Sequence, residues 1–216
     1  MKQVTNMSRL VNQLEKTFRL LNQDFFNNEL PMPIITVIPS TKSYAHYVPY
    51  DVWSTKEGGK REINISSAYL LRPLENIIGS LLHECCHFYN DVILNVQDCS
   101  RGGMYHNRQF KKQAEQRGLI VERSEKYGFA HTMPSDTLIE WVLNHNELRD
   151  IEICRNEINN ISIGIGKRTA DGGIDIISTN KSHSRRYICP CCNTIIRATK
   201  TVNVICGDCM QQMIER

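Results

Sequence analysis

The residues best suited to chemistry lie in Leu81–Asn90, LLHECCHFYN, where His83 and His87 stand four apart with Glu84 beside the first. On a helix, positions i and i+4 share a face, so two imidazoles at this spacing can grip one zinc ion. The intervening carboxylate then lies beside a water at the open coordination position. That arrangement is suited to hydrolysis. A buried helix with two hydrogen-bonded histidines is the plainer reading of the same letters, and the flanking pattern disfavours it. Pro73 suits a first helical turn, and Leu74, Ile77, Ile78, Leu81, Cys85 and Phe88 recur at three- and four-residue spacing. The spacing predicts a helix from about Pro73 to Asn90. Asn76, Ser80, His83 and His87 fall nearly opposite its apolar stripe, with Glu84 on the flank.

A catalytic zinc usually takes three protein ligands and leaves the fourth position to water. A metzincin would continue HExxHxxGxxH, but Asn90 and Ile93 occupy the glycine and third-histidine places. No glutamate after His87 has an aspartate four residues on, which excludes the gluzincin ExxxD pattern. Two histidines remain as candidates. His106 follows Gly102 and Gly103 and precedes a second helical stripe, Phe110 and Ala114, that Gly118 could cap; His131 lies in AHTMP.

A second metal set lies near the C-terminus. Cys189 and Cys192, then thirteen intervening residues, then Cys206 and Cys209 fit a zinc ribbon in which four thiolates close one structural ion. Cys191 lies inside the first knuckle, but a CxxC pair starting there would need a cysteine where Thr194 stands. A segment this small cannot hold itself by an apolar core, so the metal should supply most of its folding energy.

HECCH, followed nineteen residues after its second histidine by the histidine of YHNRQF, with a CxxC pair near the C-terminus, resembles the SprT-like zinc metalloproteases, which include the Spartan proteases. LNQDFFNNELPMPIITVIP is similar to that family's helix and first strand, and EINISSAYLLRP to the strand leading into the zinc helix. The likeness covers about Leu10 to Leu119 and the tail. It implies His83, His87 and His106 as ligands of a catalytic zinc, thereby favouring His106 over His131, and Glu84 as catalytic base. It further implies protein substrates attached to DNA, with the ribbon as the DNA-contacting part. Two features depart from the family pattern: Cys85 and Cys86 stand where bulky apolar residues are usual, and the stretch from His131 to Thr179 is longer than compact members need.

The elements that must position these residues can be traced along the chain. An amphipathic helix is expected from about Asn6 to Phe26, ended by Pro31 and Pro33. Ile34–Ile38, Tyr44–Trp53 and Glu62–Ser66 read as strands, the last two separated by the turn-like KEGGK. His46 and Tyr47, in the second strand, could border a cleft but read more simply as a surface pair. Pro134 and Ser135 open a further helix, Ile161–Ile165 and Ile174–Ile177 suggest a hairpin, and Thr179–Arg186 is polar enough for a linker. The expected architecture is α+β: a zincin-like catalytic domain with a small sheet over residues 1–130, a connecting helix and hairpin over 131–180, and the ribbon over 181–216.

With 216 residues, 41% of them hydrophobic, the chain can bury a sizeable core. No apolar run approaches a membrane span and no signal-like apolar stretch opens the sequence, so a cytoplasmic protein is expected. Nine cysteines without an export signal suit metal binding better than disulfides. Residues 181–216 hold six Lys/Arg against two Asp/Glu, a net +4, while residues 1–180 hold 20 against 21. The basic tail favours an acidic partner such as DNA. The resulting expectation is a zinc endopeptidase with one catalytic and one structural zinc, acting on DNA-associated or DNA-crosslinked proteins. The alternative is a non-catalytic, zinc-containing nucleic-acid-binding or regulatory protein.

Overall fold

In the computed structural model, which describes residues 3–40, 42–155, 185–198 and 201–215, the first apolar stripe forms α1 (Met7–Phe26). The Asn6 side chain accepts the Arg9 N–H at the N-terminus, and Asn27, with φ of 52°, ends the last turn. Leu10, Leu14, Phe18, Leu21 and Phe26 are buried. The exit is held by Asn22, whose side chain donates to the Leu30 carbonyl at 2.8 Å and accepts its N–H at 3.0 Å.

Three strands follow: β1 (Ile34–Thr36), β2 (Ala45–Thr55) and β3 (Gly58–Ile65), in the order β1-β3-β2. β3 pairs with β1 in parallel and with β2 antiparallel, so β2 has an open edge. The β2–β3 turn falls within KEGGK, where Gly58 adopts φ of 122°. Asn64 ties the sheet to the next loop, accepting the Ile38 N–H at 2.7 Å and donating to its carbonyl at 3.2 Å.

α2 (Leu74–Val92) carries the HECCH motif and has Pro73 as its N-cap. Its stripe is buried against α1 and the sheet, and Cys85 and Cys86 lie wholly inside as small apolar residues. β4 (Cys99–Ser100), β5 (Tyr105–His106), α3 (Arg108–Gln116), β6 (Leu119–Ser124) and β7 (Gly128–Pro134) come next, with the strands ordered β4-β5-β7-β6. His106 is thus on a short strand, and Asn107, not His106, caps α3 by accepting the Gln109 and Phe110 N–H groups.

The helix expected after Pro134 is α4 (Asp136–Asn144), capped by Ser135, with Leu138 and Val142 in the same core as α1 and α2. The boundary expected near residue 130 falls inside β7. Val4 pairs with Ile151, bringing the N-terminal segment against the chain beyond α4.

The chain divides into two compact units, Met1–Ile163 and Gly164–Arg216. In the second, β8 (Arg185–Ile188), β9 (Ile195–Ala198) and β10 (Ile214–Glu215) form a sheet ordered β10-β8-β9, over a core that among the described residues comprises Tyr187, Cys189, Cys206 and Met213. The hairpin expected at Ile161–Ile165 and Ile174–Ile177, and the linker up to Ser184, lie outside the described residues. The described chain is α+β. No helix among the described residues is long and apolar enough to cross a membrane.

Gly128 makes a close approach on which the fold depends. Its φ is 63°, and a Cβ there would collide with the His106 carbonyl oxygen while pressing on the Tyr105 ring at 3.0 Å. Gly128→Ala should cost about 1–3 kcal/mol, lowering the melting temperature of the first unit by several degrees, because it combines left-handed strain with displacement of β5. Thermal unfolding with and without added zinc checks this; zinc should stabilise the variant less than the parent, since His106 moves with β5.

Candidate active site and metal centres

Because α2 turns its apolar stripe inward, His83 and His87 emerge together on the opposite face, and β5 brings His106 to meet them. The three Nε2 atoms form a triangle: 3.2 Å from His83 to His87, 3.1 Å from His83 to His106 and 2.9 Å from His87 to His106. Three nitrogens at tetrahedral positions around one zinc would be about 3.4 Å apart, so the set needs little adjustment to hold the ion. Phe110 forms the floor, its ring centroid 4.4–4.7 Å from all three imidazoles.

The opposite ring nitrogens fix the orientation. His87 Nδ1 lies 2.7 Å from Asp98 Oδ2, which also accepts the Asn90 side-chain N–H at 2.7 Å. Burial alone would raise the Asp98 pKa, but the hydrogen bonds and charge of His87 and the Asn90 and Cys99 contacts bring it below its ordinary value. An ionised carboxylate accepts only, so His87 Nδ1 carries a proton, and Nε2 is the ring atom left to act as a ligand. His83 Nδ1 lies 2.9 Å from Thr132 Oγ1 on β7. His106 is held through its backbone: its N–H donates to the Tyr127 carbonyl at 3.1 Å, and the next N–H, from Asn107, donates to the Asp98 carbonyl at 2.9 Å.

Burial and neighbouring imidazoles hold His83 well below its ordinary pKa. His106 is pushed down to about 3, chiefly by burial and by His87, against the opposing pull of Asp98 and the Met104 carbonyl. Both rings are therefore neutral at pH 7, the form that zinc requires. The Nε2 atoms of the three rings converge on one point, a geometry that a cation bound through their lone pairs would satisfy, and the donor set suits zinc.

Glu84 is 6% exposed and lies on the flank of the histidine face. Burial raises its carboxyl to about 7, although His87 and the Tyr47 backbone N–H favour the ionised form. Tyr47 is thus more than the surface residue its sequence suggests. It packs against Phe88, donates its hydroxyl to Asp91, and presents its backbone to Glu84, whereas His46 beside it is exposed. His131 stands on an exposed stretch of β7, outside the imidazole triangle. Asp98, Thr132 and Phe110 complete the surroundings of the triangle. Sequence reasoning missed Asp98 and Thr132 and took Phe110 only as helix core; the one available signal was the general need of a ligating histidine for a partner at its other nitrogen.

In the second unit the Sγ atoms of Cys189, Cys192, Cys206 and Cys209 all lie within 4.8 Å of one another. The 3.5 Å from Cys192 Sγ to Cys206 Sγ is far from a disulfide bond and near the ~3.8 Å edge of a zinc–thiolate tetrahedron. Two tight turns build this site. Asn193 donates to the Cys189 carbonyl and Met210 to the Cys206 carbonyl, with φ of 58° and 52° at those two residues. The Thr194 hydroxyl and backbone draw the Cys192 thiol down to about 6, whereas hydrogen bonding to Cys192 pushes the Cys206 and Cys209 thiols up. Cys191 is exposed and outside the four-thiol set.

A family model described as SprT-like family matches residues 14–127, slightly more than half of the chain. No curated protein and no solved structure gave a match.

Fully loaded protein should contain two zinc ions per chain, measured by elemental analysis; one ion would show that one of the two clusters does not bind. Asp98→Ala should weaken the histidine site for zinc by about 10- to 100-fold, because His87 loses the group that fixes its ring and proton. Chelator competition would read this as one labile and one retained zinc per chain, where the parent keeps both.

Proposed function

The chain belongs to the SprT-like family, and from that premise we propose that it is a zinc-dependent endopeptidase with a zincin-like catalytic domain, acting on proteins associated with or crosslinked to DNA. The observation that carries the peptidase reading is the meeting of His83, His87 and His106 at their Nε2 atoms with buried Glu84 on the same helix. Family membership supports the metalloprotease-like class on its own.

His83, His87 and His106 would hold the catalytic zinc, and Cys189, Cys192, Cys206 and Cys209 the structural one. Zinc on the three imidazoles would supply Lewis acidity, activating water, polarising a peptide carbonyl and favouring the carboxylate form of Glu84. Glu84 would take the proton of the attacking water at a carboxylate oxygen and return it to the departing amide nitrogen. Its environment supports both roles, since a group near the operating pH can accept and release a proton readily. Asp98 keeps the His87 proton on Nδ1, and Phe110 keeps the rings from rotating out of register. The open edge of β2 beside Glu84 offers an extended substrate the backbone groups of a further strand.

The DNA element rests on the net +4 of residues 181–216 and on the resemblance to the Spartan proteases. Phosphate contacts through so few basic residues would give modest, salt-sensitive affinity.

The deciding experiment compares cleavage of an unstructured protein by parent and Glu84→Gln, with and without DNA. The parent should cleave, DNA should accelerate it, and Glu84→Gln should lose ~10²–10⁴ in rate while keeping both zinc ions. Equal activity in the two proteins would remove Glu84 from the mechanism. No cleavage by fully zinc-loaded parent would favour a nucleic-acid-binding zinc protein instead.

A further inference from the structure

Arg72, between the 3₁₀ turn Ser67–Tyr69 and α2, is a half-buried guanidinium with no acidic partner among the described residues. Its Nε donates to the Tyr69 carbonyl at 3.0 Å and its Nη2 to Ser80 Oγ at 3.1 Å. The group lies 4.0 Å over the Tyr44 ring, which in turn meets the Tyr69 ring edge-on at 4.9 Å. Among the described residues no carboxylate forms an ion pair with it. Burial brings it down to about 10, opposed only by Tyr44 and Tyr69. A half-buried guanidinium with no carboxylate partner among the described residues, and with Nη1 making no hydrogen bond to any of them, is poised for an anion from outside.

Its position relates it to the peptidase site. Ser80 lies on the same face of α2 as His83 and His87, one turn before His83, so the guanidinium sits roughly 5 Å further along the helix axis. The start of β2 runs beside this helix: Tyr47 presents its N–H to Glu84, and Tyr44, three residues earlier, lies under Arg72. Three residues of extended chain span about 10 Å. A substrate strand with its scissile carbonyl at Glu84 would therefore bring a side chain two or three residues away to Arg72.

We propose that Arg72, stacked on Tyr44 and anchored by Ser80 and the Tyr69 carbonyl, is a specificity subsite for an acidic side chain two or three residues from the cleaved bond. This rests on the peptidase reading for its meaning, though not for its measurement. The stacking holds the guanidinium plane in place, and Nη1 and Nη2 remain as a fork for a carboxylate; a lysine cannot reproduce either feature.

The test uses full-length, zinc-loaded protein and quenched fluorescent peptides in which Glu, Gln or Lys is walked through four positions on each side of the bond. Glu should exceed Gln in kcat/KM by ~10-fold or more at one position two or three residues from the bond, as a charge-assisted hydrogen bond allows. Arg72→Gln should collapse that Glu-to-Gln ratio towards one, and Arg72→Lys should restore only part of it. The same peptides, fluorescently labelled, are titrated onto zinc-loaded Glu84→Gln protein with Arg72 intact or replaced. This arm decides the subsite even if the parent cleaves nothing, an outcome that would sink the peptidase reading alone. Melting temperature and zinc content identify a variant that fails to fold, in which case Arg72→Lys carries the comparison. Equal kcat/KM and equal binding of Glu and Gln peptides at every position would overturn the proposal, as would a preference that survives in Arg72→Gln.

Discussion

Three imidazole nitrogens are turned toward one point, 2.9–3.2 Å apart, and much of the first unit serves to hold them there. α2 can present His83 and His87 together because its other face is anchored in the core. The inner letters of HECCH are part of that anchor: Cys85 and Cys86 are fully buried, and burial raises both thiols, Cys86 to about 12. They remain protonated, pack as apolar groups and offer no competing thiolate to a metal. The third imidazole has no helix to fix it. It depends on a two-residue strand clamped by Tyr127 on one side and Asp98 on the other, with Gly128 leaving room for the His106 carbonyl.

That difference explains what the sequence disclosed. A long helix repeats its environment every three or four residues, so α1 and α2 could be read nearly to their ends, and the i, i+4 pair of histidines with them. The cysteine knuckles were legible for a similar reason, because ligand spacing is itself a short-range pattern. β4 and β5 are two residues each and carry no period. β6 mixes charged or polar and apolar side chains on both faces, and β7 mixes polar and apolar ones, so their pairing gives no clear alternation. What depends on those strands was correspondingly hidden: the placement of His106 before the helix cap, the Thr132 contact to His83 and the Asp98 contact to His87. Tyr47 was misjudged because its contribution comes from the backbone of an edge strand, to which side-chain type gives no clue.

On the proposed reading the two clusters would use zinc in opposite ways. In the first unit a large apolar core exists without the metal, and Asp98, Thr132 and Phe110 orient the ligands within it. Metal binding there would spend little free energy on ordering the chain, and three ligands would leave a coordination position for chemistry. In the second unit two of the four buried core residues are themselves proposed ligands, Cys189 and Cys206. Without metal those thiols are merely small apolar groups beside Tyr187 and Met213, too little surface to offset the entropy of ordering the strands. Folding and metal binding in the second unit would therefore be one equilibrium, and four thiolates would close the coordination sphere against substrate. The same element would thus have separable roles in one chain. A protein-built cavity that tolerates an open position can do chemistry, while a chain segment that needs the metal in order to fold must occupy every position and can only present its surface.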